Sequence, residues 1–128
     1  MIVDKKIKIL VVDDFATMRK VIRNLLKQIG YDNVIEAENG QIAFKTLQSQ
    51  QVDFIISDWN MPTMSGLELL KAIRADANLA KTPFLMVTAE ALKENVVEAV
   101  KAGVNNYIVK PFTAEVLEGK IAKIIESI

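Results

Sequence analysis

The sequence predicts an open α/β domain, with five parallel strands in one sheet and helices on both of its faces. Three observations carry this. Five short apolar runs alternate with five amphipathic stretches. No linker, repeat or low-complexity segment interrupts them. The 128 residues suffice for one domain with its own core, spanning 1–128, but fall short of the eight units of a closed barrel.

The elements follow in order. Ile7 to Val12 (IKILVV) reads as a buried strand that stops at Asp13-Asp14. Met18, Val21, Ile22, Leu25, Leu26 and Ile29 then recur at helical spacing, with Arg19, Lys20, Arg23 and Lys27 on the other face and Gly30 as the stop. Val34 to Ala37 is a second strand, and about Gln41 to Gln48 a second helix. Phe54 to Ser57 is a third strand ending at Asp58. Met61 to Gly66 is a loop in which Ser65 caps a helix carrying Leu67, Leu70 and Ile73. Phe84 to Val87 is a fourth strand ending at Thr88, followed by a helix from about Ala91 to Ala102 that stops at Gly103. Asn106 to Val109 is the fifth strand, ending at Lys110-Pro111. The last helix begins near Thr113 and should bury Val116, Leu117, Ile121, Ile124 and Ile125. The first, third and fourth strands are the most apolar and belong in the centre. The order 2-1-3-4-5 satisfies this and keeps every crossover right-handed.

Composition excludes much chemistry. With neither cysteine nor histidine there is no disulfide, no thiolate nucleophile, no Ser-His-Asp machinery and no imidazole metal site. Carboxylates, hydroxyls, lysines and backbone groups remain, and oxygen-rich ligand sets suit hard cations. The 16 basic and 16 acidic residues cancel, with 8 of each in either half, so no basic block exists to attract nucleic acid. No apolar run approaches the roughly 20 residues of a membrane span, and Met1 to Lys8 lacks the long apolar region of a secretory signal. A cytoplasmic, membrane-free monomer is the expectation.

The polar residues fall at strand ends. Asp13 and Asp14 follow the first strand, Asp58 the third, Thr88 the fourth and Lys110 the fifth. In a parallel sheet these ends share one edge, where open α/β folds bind ligands at the reversal of strand order. A lone aspartate there ordinarily caps a helix, but two adjacent carboxylates repel and only one can cap. Three carboxylates offer Mg2+ hard ligands, with waters completing the octahedron. A carboxylate can attack phosphorus, and the cation, the Lys110 ammonium and the Thr88 hydroxyl can each take one oxygen of the transferred group. The residue types thus match phosphoryl transfer to Asp58.

The chain resembles receiver domains of bacterial two-component response regulators over essentially its whole length. The resembling stretches are VVDDFATMRKVIRNLL (Val11 to Leu26), ISDWNMPTMSGLELLKAIRAD (Ile56 to Asp76), LMVTAEALKEN (Leu85 to Asn95) and YIVKPF (Tyr107 to Phe112). The wording DDF, SDWNMP and VTAEA is that of the chemotaxis regulators within the family. The resemblance implies the flavodoxin-like (βα)5 fold. It implies that Asp58 accepts a phosphoryl group from a CheA-like histidine kinase. Asp14, Asp58 and the Asn60 carbonyl would bind Mg2+ directly, with Asp13 acting through water. Lys110 would pair with the phosphoryl group, aimed by a cis peptide before Pro111. Thr88 would move toward it, and Tyr107 would turn into the space vacated. The flagellar switch protein FliM would then contact Ala91, Lys93, Val96, Val100, Val104, Tyr107, Val109 and Lys120. Leu92 departs from the lysine expected there and places an apolar side chain near that face. Asn60 and Glu90 would control water access to the phosphoryl group, where a phosphatase would work. Such a receiver is not an enzyme, although its own phosphorylation and dephosphorylation chemistry sits on Asp58.

Other readings fit less well. A phosphorelay intermediate passing phosphate to another histidine protein needs the same Asp58 and differs in its partner. A haloacid-dehalogenase-type phosphohydrolase places its nucleophile in D-x-D after the first strand and carries a cap domain. An acidic switch point would repel the phosphate of a flavin. No helix-turn-helix pattern supports a transcription factor.

Overall fold

The computed structural model describes residues 4–89 and 92–128. Five strands, β1 (Ile9–Val12), β2 (Val34–Ala37), β3 (Phe54–Asp58), β4 (Phe84–Thr88) and β5 (Asn106–Val109), form one sheet in the order β2-β1-β3-β4-β5. All neighbouring pairs are parallel. The helices are α1 (Ala16–Gln28), α2 (Gly40–Ser49), α3 (Gly66–Ala75), α4 (Lys93–Ala102) and α5 (Ala114–Glu126). Fold class and strand order are therefore those expected. Among the described residues no helix is long and apolar enough to cross a membrane.

The period of two in a strand splits the core between the sheet faces. Ile9, Val11, Phe54, Ile56, Leu85 and Val87 pack with Ile22 and Leu26 of α1 and with Leu117, Ile121 and Ile124 of α5. Leu10, Val12, Ile55, Phe84 and Met86 pack with Ala43 and Leu47 of α2 and Leu69, Leu70 and Ile73 of α3. The central strands are buried on both faces, as continuous apolar runs require.

Helix ends follow from local chemistry. Ser65 and Glu68 form a reciprocal capping box, Ser65 Oγ accepting from the Glu68 N–H at 3.1 Å and Glu68 Oε1 accepting from the Ser65 N–H at 3.0 Å. Asn39 caps α2 by accepting from the Ile42 N–H at 2.8 Å, a cap the sequence reading missed. Thr113 caps α5. Gly103 ends α4 at φ +94°, a conformation side chains with a Cβ avoid.

Several boundaries and orientations differ from expectation. The β1 ladder begins at Ile9, because the Lys8 N–H is taken by the Asp53 carboxylate at 2.8 Å. Asp58 and Thr88 are the last residues of their strands rather than the first beyond them. Helix α4 starts at Lys93, later than the Ala91 expected. Val116 is 47% exposed, not buried, because Leu117, Ile121 and Ile124 form the inward stripe of α5. On α4 the buried residue among those described is Ala99, while Val100, expected on the partner surface, stands 63% exposed.

Candidate functional site

The site is built at the C-terminal edge of β1, β3 and β4 and the turn after β5. Asp13 and Asp14 leave β1, and Asp58 closes β3. One carboxylate oxygen from each lies within 4.8 Å of the others. Asp13 and Asp58 are buried and Asp14 is half-buried. Asp13 Oδ1 accepts the Phe15 N–H at 2.9 Å, but Asp13 Oδ2 and Asp14 Oδ1 are buried with no hydrogen-bond partner. Burial pushes the Asp13 carboxyl above the usual carboxylate range. The Phe15 N–H opposes that shift, Asp58 adds to it, Lys110 opposes it and Asp14 adds to it. Two orphaned oxygens in a cluster of three acids are the donor set a hard divalent cation satisfies, so these residues fit Mg2+.

Lys110 supplies the opposing charge. Its Nζ stands 2.9 Å from Asp58 Oδ1, and the Asp58 side chain is only 6% exposed. The Lys110 N–H donates to the Thr88 carbonyl at 2.9 Å, and the Lys110–Pro111 peptide is cis. Thr88 is buried at the end of β4.

The loop after β3 is fixed by close packing. The Trp59 N–H donates to the Val87 carbonyl and the Gly66 N–H to the Trp59 carbonyl, at 2.9 and 2.8 Å. A Cβ at Gly66 would lie 2.2 Å from the Asp58 carbonyl oxygen, so only glycine lets α3 start this close to β3. The sequence reading gave Gly66 no such role. It also missed Arg19, whose guanidinium donates to the Asp13 carbonyl at 2.7 Å and to Glu36 at 3.0 Å. Its place one turn into the helix after Asp13-Asp14 was the available signal.

The structure brings together Asp13, Asp14, Asp58, Thr88 and Lys110. Asn60 lies exposed in the loop two residues beyond Asp58. Of the expected partner surface, Val100 and Val109 are exposed, while Val96, Val104, Tyr107 and Lys120 are partly buried. Tyr107 borders a hollow shared with Thr88, Trp59, Met86, Val96 and Ala99. Leu92 is exposed beside this face. Glu90 and Ala91 lie outside the described residues, as does the Lys93 side chain.

An acidic triad with an opposed lysine at the switch point of a 2-1-3-4-5 sheet defines a receiver. The chain belongs to the response regulator receiver domain family, whose model matches residues 9–122. Within that family its similarity is to CheY proteins. It is 54% identical to the chemotaxis protein CheY of Pseudomonas aeruginosa over 121 residues, covering 94% of this chain and 98% of that protein. It is 53% identical to chemotaxis protein CheY-3 of Vibrio cholerae over 125 residues, covering 98% and 96%. Among solved structures it superimposes on the chemotaxis response regulator CheY4 of Vibrio cholerae with a TM-score of 0.86 at 36% identity, covering 93% of this chain and 98% of that one. A putative response regulator from Chloroflexus aurantiacus gives 0.88 at 28% identity, covering 94% and 98%.

Proposed function

We propose that this chain is a chemotaxis response regulator, phosphorylated on Asp58 by a CheA-like histidine kinase. The observation that carries the reading is the buried Asp58 carboxylate, held by Lys110 at 2.9 Å beside two acids with unsatisfied oxygens. Asp13, Asp14, Asp58 and the Asn60 carbonyl would hold Mg2+, which when bound offsets charge on the phosphoryl oxygens. The Asp58 oxygen attacks phosphorus as the bond to the donor imidazole breaks. Lys110 then shifts its ammonium from the carboxylate to a phosphoryl oxygen, and the Thr88 hydroxyl donates to another.

The new group adds about −1.5 to −2 charge at the sheet edge. Thr88 and Lys110 follow it, Tyr107 responds through the hollow beside Thr88, and the α4–β5–α5 face changes. That face then binds FliM and controls flagellar rotation, in the cytoplasm and as a monomer. Exposed Val100 and Val109, with Leu92 nearby, supply the apolar area such a partner would cover.

The test uses Trp59, the only tryptophan, next to Asp58. The protein is titrated with a FliM N-terminal peptide in Mg2+, with and without beryllofluoride. Distinctly tighter binding with the mimic supports a motor-directed switch. A Trp59 response without peptide binding keeps the phosphorylation chemistry and moves the output to another partner, a phosphorelay histidine protein first.

A further inference from the structure

We infer that Lys120 and Asn106 form a positioning pair for Tyr107, biasing where its ring sits and so how readily the switch surface changes. The inference rests on the switch reading above and adds a device to it. Tyr107 lies on β5, the edge strand, which among the described residues pairs only with β4. The Lys120 ammonium, reaching from α5, stands 5.2 Å from the centroid of the Tyr107 ring. It also donates to Asn106 Oδ1 at 3.2 Å. The same oxygen accepts the Tyr107 backbone N–H at 2.8 Å. One amide oxygen thus ties the tyrosine main chain to the cation that covers its ring.

Lys120 is partly buried, and among the described residues it enters no ion pair. An amide oxygen and a π face are its only polar and aromatic partners there. Its attraction to the ring therefore depends on the ring staying in place. On another side the ring borders the narrow hollow shared with Thr88 and Trp59, which is too small to take the ring unless its walls shift. Tyr107 is thus held from α5, and the cation weights that ring position against the one that closes on the hollow. An exposed cation–π contact changes such a population ratio roughly two- to five-fold.

The experiment measures Tyr107 χ1 populations from three-bond side-chain couplings in the full chain, and the Mg2+–beryllofluoride midpoint from Trp59. Lys120→Met and Asn106→Ala should change the population ratio about two- to five-fold, and the midpoint by a similar factor, since coupling is reciprocal. Lys120→Arg keeps a cation over the ring and should stay near the parent in both. Lys5→Met is the control. Lys5 lies 4.4 Å from the ring of Tyr31, the other tyrosine, and its loss should leave Tyr107 unmoved. Unchanged Tyr107 populations in Lys120→Met overturn the pairing. Changed populations with an unmoved midpoint overturn its regulatory role. If Trp59 of the parent ignores beryllofluoride, the switch reading fails, while the populations still decide the pairing.

Discussion

Lys110 reaches past β4 to Asp58, closing a 2.9 Å ion pair between the ends of two strands that are not neighbours in the sheet. Its own N–H donates to the Thr88 carbonyl of the intervening strand. One residue therefore touches the proposed acceptor with its side chain and the proposed relay with its main chain. Lys110→Arg and Thr88→Ala should both still accept a phosphoryl group but lose phosphorylation-dependent partner binding. Parallel labelling and peptide-binding assays check this, and parent-like binding in both variants would sink the coupling scheme.

Asp13 makes stability depend on pH and metal. Its folded pKa is raised by burial, then by Asp58 and Asp14 against the pull of Phe15 and Lys110. A raised carboxyl contributes stability that is complete below its unfolded pKa and lost as pH rises through the folded value. Metal-free protein should therefore lose stability from the ordinary carboxylate range upward. Asp13→Asn should flatten that slope and stabilise the metal-free form at neutral pH. Mg2+ should restore the parent by mass action. Urea midpoints across pH, in chelator and in Mg2+, measure all three.

Gly66 has no room for a side chain, with the Asp58 carbonyl 2.2 Å from where its Cβ would sit. Relief requires a backbone shift of β3 or α3. Gly66→Ala should cost about 2–3 kcal/mol and also weaken Mg2+ binding, because the displaced backbone is that of Asp58. Denaturant unfolding and Trp59-monitored Mg2+ titration give the two readouts. A stable variant with parent-like Mg2+ affinity contradicts the close approach.

Arg74 anchors the opposite end of the sheet. Its guanidinium donates to the Gly103 carbonyl at 3.0 Å, to Ala80 and Thr82 carbonyls at 3.1 and 2.6 Å, and to Asn105 Oδ1 at 2.9 Å. No ion pair among the described residues includes it, and burial lowers its basicity. Arg74→Met should cost about 2–3 kcal/mol, and Arg74→Lys should recover little, because an ammonium cannot reproduce the planar fork. Thermal unfolding of both variants tests this.

Glu36 carries the opposite pH signature. Burial alone would raise its pKa, but hydrogen bonds from Arg23 and Arg19, at 2.7 and 3.0 Å, hold it below the usual range. Its stabilising contribution is present above the unfolded pKa and lost as pH falls through the folded one. Glu36→Gln should remove that acid-side loss while leaving the Asp13 slope at higher pH intact. Unfolding curves below neutrality distinguish the two acids.

The fold was legible because each apolar run announces its own period, and the strand order followed from which runs are the most apolar and from right-handed crossovers. Asp13, Asp14, Asp58, Thr88 and Lys110 were legible as a set because parallel strands bring their ends to one edge. The rest depends on contacts that pattern does not encode. Val116 is apolar at helical spacing yet faces outward, since Leu117 takes the inner position. Asn39 looks like any loop asparagine until it caps α2. Gly66 and Arg74 act on backbone carbonyls, and which carbonyl lies within reach is fixed only by the packed sheet.

The central claim is that Asp58 accepts the phosphoryl group. The direct measurement is the intact mass of the protein after incubation with a small acyl phosphate and Mg2+, beside Asp58→Asn and a chelator control. The account predicts one added phosphoryl group on the parent and none on Asp58→Asn or without metal. Undiminished labelling of Asp58→Asn would contradict it.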